Sequence, residues 1–253
     1  MFSEERRAQI LEKLQREGRV IAKDLADEYN LSIDSIRRDL TIMEESGLLV
    51  RTHGGAIPTS PVTKRAQPPS NRYGEGSIYE NAIARLAVTY IEENQTVFIG
   101  GASIHYVMLK YLPTNIPFTV VTNSVEIAYH LRTRENVQTY IIGGGMKSSG
   151  NITDALAIEF VRQFTIDLCF ATAGGLSSKG LSTATPEVAI FHKIIYDNSR
   201  KLITLVEYYK FGVELFSSMY PVQKLGLVIT DEETTDDKID AIKAQGIPVI
   251  VAK

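Results

Sequence analysis

A single cysteine, Cys169, leaves no possibility of an internal disulfide, and its place in an apolar run makes it a small buried hydrophobe. No stretch approaches the roughly 20 apolar residues that a membrane-spanning helix needs. The opening residues MFSEERRAQ hold no apolar core of a secretory leader. A cytoplasmic protein without a membrane partner is expected. Neither HExxH nor CxxC occurs, and Gly100, Gly101 and Ala102 do not make the GxGxxG spacing of a dinucleotide site, so no metal and no cofactor are expected. Excess charge of one sign is missing too. Lys plus Arg number 27 and Asp plus Glu 30, a net charge of -3, so any nucleic-acid surface must come from the distribution of charge rather than its total.

A length of 253 residues suits one small domain followed by one large one. Ile10, Leu11 and Leu14 recur at helical spacing and Gly18 closes that helix. Ala22, Leu25, Ala26 and Tyr29 carry a second helix that stops at Asn30. Ser32 offers an N-cap to a third, with an apolar stripe of Ile36, Leu40 and Met43 and an end at Gly47. Leu48 to Ile57 reads as two short strands around a Gly54-Gly55 turn, a candidate wing. Residues 1–57 thus form a winged helix-turn-helix, and the Pro- and Ser-rich residues 58–77 form a linker. From 78 to 253 helical and strand patterns alternate. That alternation predicts a mostly parallel sheet covered by helices, with any ligand bound in loops beyond the carboxyl ends of the strands.

On a helical wheel Asp34, Arg37, Arg38 and Thr41 lie opposite the Ile36, Leu40 and Met43 stripe. Two arginines therefore face outward on the helix that would enter the major groove, where arginine grips guanine or anchors a phosphate. Equally, an Arg-Arg pair can be an ordinary solvated face. Residues 1–57 carry nine basic and eleven acidic residues, yet from Ser46 to Gly74 there is no acid at all while Arg51, Lys64, Arg65 and Arg72 are present. That positive stripe of wing and linker suits phosphates.

ERRAQIL, SIRRDL and SGLLVRTHGGA together resemble the N-terminal domain of the DeoR family of bacterial regulators. The resemblance implies that Ser32, Ser35, Arg37 and Arg38 meet DNA from the helix, and Arg51 and His53 from the wing. His53 reads equally as a turn residue packing on the hairpin. FTVVTNSVEIA, YIIGGG, DLCFATAGGLSSKGLST and KFG extend the resemblance to that family's effector-binding domain, related in fold to ribose-phosphate isomerases. The expectation is a sequence-specific repressor of a carbohydrate operon, controlled by a small phosphorylated sugar and built as a dimer or tetramer on operator DNA.

The implied effector site draws on Gly101 and Ser103, on Thr122, Asn123 and Ser124, on Gly143, Gly144, Gly174 and Gly175, and on Glu187, Glu207 and Lys210. Glycines expose backbone N–H groups, hydroxyls bond a sugar, and a lysine holds phosphate. Each has a structural alternative: the glycines as tight connections, and Glu187 as a helix-dipole partner. Two loops depart from the family pattern. Gly100, Gly101, Ala102 and Ser103 stand where an Asp followed by Gly-Thr-Thr is usual, and Glu207, Tyr208, Tyr209 replace Asp-Ser-Ser before Lys-Phe-Gly. A changed or narrowed ligand preference follows, with the tyrosines available to stack on a ligand ring. The alternative is an isomerase-like enzyme with Glu207 as base and Lys210 on phosphate. Against it stand the missing carboxylate after the first strand of the larger domain and the lack of a nucleophile beside a base, so no catalytic residue is assigned.

Overall fold

A computed structural model describes residues 3–45, 48–58 and 73–253. The chain divides into two compact units, one ending at residue 67 and the other starting at 68. In the first, helices α1 (Ser3–Glu17), α2 (Ala22–Tyr29) and α3 (Ile33–Glu45) pack with strands β1 (Val20–Ile21), β2 (Leu49–Thr52) and β3 (Gly55–Pro58). Ile10, Leu14, Leu25, Ile36, Leu40, Met43 and Leu49 form the core, where truncating one leucine costs about 2 to 5 kcal/mol. Gly18 and Asn30 both take positive φ, 72° and 52°, as the ends of α1 and α2 require. Gly47, expected to end α3, lies outside the described residues.

Two local features differ from the sequence reading. Val20 and Ile21 are a short strand, because β1 pairs antiparallel with Ala56 and Gly55 of β3. The hairpin turn is His53-Gly54, and Gly55 is already in β3 opposite Thr52. Gly55 meets a different demand, since a Cβ there would fall 1.9 Å from the Val20 carbonyl oxygen.

The second unit holds a seven-stranded parallel sheet. Its strands are β4 (Thr96–Ile99), β5 (Phe118–Thr122), β6 (Val137–Ile141), β7 (Ile166–Ala171), β10 (Ser199–Leu205), β12 (Leu227–Asp231) and β13 (Val249–Ala252), in the spatial order β13-β12-β10-β7-β4-β5-β6. Helices α4 (Ile78–Ala87), α5 (Ser103–Met108), α6 (Val125–Leu131), α7 (Ala155–Val161), α8 (Pro186–Asp197) and α9 (Asp236–Lys243) separate them. Separate apolar cores fill the two faces, one around Phe98, Cys169 and Phe191 and the other around Ile99, Phe170 and Leu205. Such alternating burial explains why these strands read as continuous apolar runs. The chain winds outward through β5 and β6, then returns to place β7 against β4. That reversal is a topological switch point, where the loops after β4 and β7 part and leave room for a ligand.

Three short strands escaped the sequence reading: β8 (Gly175–Ser177), β9 (Gly180–Thr183) and β11 (Ser217–Pro221), which form an antiparallel sheet in the order β11-β9-β8. β8 and β9 form a short hairpin, β11 pairs with β9 from more than thirty residues away, and no alternation marks any of them. Both ends of the stretch expected as linker carry structure: Pro58 closes β3, and Ser77 caps α4 in a reciprocal capping box with Glu80. Residues 59–72, with Lys64, Arg65 and Arg72, lie outside the described residues. Among the described residues no helix is long and apolar enough to cross a membrane.

Candidate DNA-reading face and ligand-binding edge

Ser32 starts the reading helix. Its Oγ accepts from the Ser35 N–H at 3.2 Å and lies 2.9 Å from Ser35 Oγ, satisfying an amide that the first turn leaves unpaired. Arg37 and Arg38 are exposed. Arg37 makes an ion pair of 3.2 Å with Asp34, its side chain 55% exposed, so solvent screening leaves it weak and the guanidinium available. Asp39 behaves differently from its neighbours in sequence. It is buried and receives Arg6 at 2.7 Å, with Arg7 at 3.8 Å, and so binds α1 to α3 without neutralising Arg37 or Arg38.

The wing is fastened to the same helix. Arg51 donates to Thr41 Oγ1 at 2.8 Å through its guanidinium and to Glu44 through its backbone N–H at 2.8 Å. The Gly54 carbonyl accepts from Ala22 N–H, which holds the hairpin turn at the start of α2. A cleft of about 200 Å³ runs between α3 and the hairpin, lined by Lys23, Arg37, Arg51 and His53 among others. Lys23 was missed in the sequence, where it reads as one more exposed residue of α2. Its membership of this basic cleft depends on the β1–β3 pairing.

At the carboxyl edge of the large sheet the loop after β4, Gly100 to Ala102, is enclosed by groups from three other segments. Residues 150–152 fold back over the end of β5: Asn123 O accepts from Ile152 N–H, Gly150 O accepts from Val125 N–H, and Asn151 bridges to Ser124. A Cβ on Gly101 would land 1.9 Å from Asn151 Oδ1, and one on Gly100 would lie 3.3 Å from Asn123 Oδ1 and 3.4 Å from His105 Cε1. Glycine is thus required by close approach at Gly101. The Asn123 amide donates through Nδ2 to the Ile152 carbonyl at 3.1 Å, which orients the group and leaves Oδ1 as the second atom. Asn123 Oδ1 and Asn151 Oδ1 are buried without a hydrogen-bond partner among the described residues, as are Thr185 Oγ1 before α8 and Thr204 Oγ1 near the end of β10. Four such groups near the ends of strands are unusual in a folded interior.

Cations surround this edge. Lys210 sits 2.7 Å from the buried carboxylate of Glu207, whose other oxygen accepts from Tyr209 OH at 3.2 Å. Lys147 pairs with Glu187 at 2.8 Å, and Thr153 donates to the same carboxylate. Partial burial works against ionisation of Glu187, but the Lys147 and Thr153 hydrogen bonds outweigh it and hold the carboxyl below its usual range. His105 is fully buried beneath the loop. Its Nε2 lies 2.9 Å from the Phe170 carbonyl and its Nδ1 3.4 Å from Ala102 N, a pattern suited to a neutral ring that donates from Nε2. Burial, with smaller contributions from the charges of His192 and Lys210, lowers its pKa to about 3.

The remaining sequence candidates divide by place. Thr122 Oγ1 accepts from Ser124 N–H, Ser124 caps α6, and Ser103 opens α5, so all three border the Gly100–Gly101 loop. Gly143 and Gly144 are exposed beyond β6, and Asp154 occupies the next amide, accepting from Gly145 N–H at 2.8 Å. The Ala157 and Gly145 amides hold the Asp154 carboxyl below its usual range, so this turn already carries an anion of its own. Gly174 and Gly175 pack against the chain returning from β10, where a Cβ would meet Leu215 Cδ1 and Val213 O at 2.2 Å. Tyr208 meets Tyr79 edge-on at 5.6 Å, while Tyr209 is 48% exposed. Asn151, Lys147, Thr153 and His192 went unnoticed in the sequence because they lie between recognised segments or inside helices, with no motif to mark them.

Comparison with known proteins bears on both units. The model of the DeoR-like helix-turn-helix domain matches residues 6–62, and that of the DeoR C terminal sensor domain matches residues 79–232. The chain belongs to the DeoR family. Among DeoR-family relatives, the HTH-type transcriptional repressor GlcR of Bacillus subtilis is 27% identical over 255 residues, covering 100% of this chain and 98% of the relative. The glycerol-3-phosphate regulon repressor of Escherichia coli K12 is 29% identical over 226 residues, covering 88% of each chain. Among solved structures, ribose 5-phosphate isomerase A from Methanocaldococcus jannaschii aligns over 52% of both chains at 14% identity and a TM-score of 0.38. A likeness this partial carries no functional weight. Family membership itself establishes the two-part architecture of a helix-turn-helix and a sensor domain.

Proposed function

We propose that this DeoR-family protein is a cytoplasmic repressor that binds operator DNA through α3 and the wing and changes its affinity when a small phosphorylated sugar enters the carboxyl edge of the large sheet. On the DNA side, Arg37, Arg38, Arg51 and Lys23 supply base and phosphate contacts, Ser32 and Ser35 present hydroxyls at the helix start, and His53 stands at the wing tip. A homo-oligomer, dimer or tetramer, would place two such faces on a repeated or inverted operator.

The observation that carries the ligand reading is the pair of orphaned amide oxygens, Asn123 Oδ1 and Asn151 Oδ1, on either side of Gly100 and Gly101. Buried acceptors without donors call for a ligand rich in O–H groups, and Lys210, released from Glu207, is the cation for its phosphate. Gly101, Ser103, Thr122, Asn123, Ser124, Glu207 and Lys210 make the inner site, with Asn151 added. Glu187, Gly143 and Gly144 stand on its rim beside Lys147 and Asp154, and Gly174 and Gly175 shape the wall from the small sheet. Relatives named as repressors, including the glycerol-3-phosphate regulon repressor, support a regulator over an enzyme.

The test is a thermal-shift panel of sugar phosphates and the matching free sugars, followed by gel-shift titration on duplexes selected from random DNA. A ligand bound by the native state alone raises the midpoint by mass action. One phosphorylated compound that raises the midpoint and changes the gel shift is the expected result. Turnover of that compound would instead favour the isomerase-like reading, and selection of no DNA sequence would remove the repressor assignment.

A further inference from the structure

The segment that leads from the DNA-binding unit into the sensor unit ends on the proposed ligand loop. Tyr73 OH donates to the Gly101 carbonyl at 3.0 Å and lies 3.3 Å from Ser124 Oγ, so one linker residue touches both loops of the inner site. Its ring stacks on Tyr106 of α5, centroids 4.7 Å apart and planes 18° from parallel. Tyr106 OH in turn lies 3.1 Å from His130 Nε2 at the end of α6. α5 begins at Ser103, directly after the Gly100–Ala102 loop, and α6 begins directly after Ser124. Tyr73 therefore rests on α5 and on the N-cap of α6, the starts of the two short helices that the ligand loops launch.

The residues after Tyr73 are clamped to the same helix. Lys110, just beyond α5, donates to the Glu75 carbonyl at 2.6 Å and pairs with the Glu75 carboxylate. Asn81 Nδ2 donates to the same carbonyl at 2.9 Å. Gly76 takes a φ of +73°, and a Cβ there would fall 2.5 Å from Val107 Cγ2, so the segment lies too close to α5 for any other residue. Residues 73–77 are thus docked on α5 through these contacts, and they are the covalent route to the helix-turn-helix.

We propose that Tyr73 is a positioning residue of the ligand site that carries occupancy of the Gly100–Ser103 and Thr122–Ser124 loops into the linker. This rests on the sugar-phosphate reading above. A ligand that reaches Asn123 and Asn151 displaces or tightens the Gly101 carbonyl and Ser124 hydroxyl, which meet the Tyr73 hydroxyl. Docked and undocked positions of the segment are then the two states that the ligand biases, and operator affinity follows by linkage.

The experiment uses the full chain and three variants, Tyr73→Phe, Tyr73→Ala and Gly76→Ala, with glucose 6-phosphate and glycerol 3-phosphate as probes. Calorimetry reads ligand binding, and fluorescence anisotropy reads the Kd for a selected operator duplex with and without ligand. In the wild type, ligand is expected to change operator Kd by about 5- to 150-fold, the usual range of allosteric coupling, and in Tyr73→Ala and Gly76→Ala that ratio, read at saturating probe, falls toward one. Tyr73→Phe keeps the ring on Tyr106 and loses both hydroxyl contacts, so an intermediate ratio assigns a share of the coupling to the hydroxyl. Variants that bind the probe and respond like the wild type overturn the role of Tyr73 and leave the ligand reading standing. Failure of the wild type to bind either probe overturns the ligand reading for these compounds and the Tyr73 coupling with it. Thermal unfolding of each variant checks that the fold is kept.

Discussion

Asp39 accepts from Arg6 at 2.7 Å inside the DNA-binding unit, while Arg37 and Arg38, just before it in the chain, stay exposed. One charged run thus serves two purposes, holding α1 against α3 and presenting cations outward. Breaking a buried pair leaves a charge uncompensated and costs on the order of 3 kcal/mol. Asp39→Asn should lower the unfolding midpoint of this unit in circular dichroism melts and weaken operator binding without any DNA contact of its own. An unchanged melt would show that Arg6 and Asp39 contribute nothing net.

Arg37→Ala and Arg38→Ala should each weaken specific operator binding, by about 1 to 3 kcal/mol for an arginine that reads a base. An arginine that holds phosphate should instead weaken all sequences alike and reduce the salt dependence of binding. Anisotropy titrations on operator and scrambled duplexes at several salt concentrations separate the two roles. Full affinity in both variants would take α3 out of the groove.

Lys210 is paired with Glu207 at 2.7 Å, so an incoming phosphate must compete for it. Glu207→Gln should strengthen binding of a sugar phosphate, and Lys210→Met should abolish it. Calorimetry with the compound found in the thermal-shift panel decides. Tighter binding by Lys210→Met would reverse the assignment of that cation.

Burial holds His105 neutral, with a pKa of about 3, against an ordinary value of about 6.5. Between those values the unfolded chain binds a proton that the folded one does not. Stability is therefore fully present above about pH 6.5 and falls as pH drops, by at most about 1.4 kcal/mol per pH unit for this group. His192, lowered in the same direction by burial, adds to the loss in the same window. Denaturant melts at pH 7, 6 and 5 should show a steeper decline for the wild type than for His105→Asn, and equal slopes would mean that the ring is protonated in the native state.

Much of this was legible from local pattern. The stripe of Ile36, Leu40 and Met43 placed α3 and its outward arginines, since helical spacing alone decides which residues share a face. Ser32 as N-cap and Asn30 as a stop are local chemistry as well. Thr96–Ile99 and Phe118–Thr122 stand out in the sequence as short runs of β-branched and aromatic residues, and β4 and β5 have the same bounds. Pairing was not readable. β1 is two residues long, β8 and β9 make a hairpin of three and four residues, and β11 exists because β9, more than thirty residues earlier, lies alongside.

By itself the sequence determined the helices, the buried strands, the two-domain order and the DeoR resemblance, because each depends on residues close together in the chain or on a spaced motif. Tertiary structure decided which groups meet. It brought Asn151 against Gly101, Lys23 into the wing cleft, Asp39 onto Arg6 and Tyr73 onto Tyr106. None of these contacts has a signature in spacing, since the partners lie 33 to 50 residues apart or approach through a strand pairing that only the folded chain supplies.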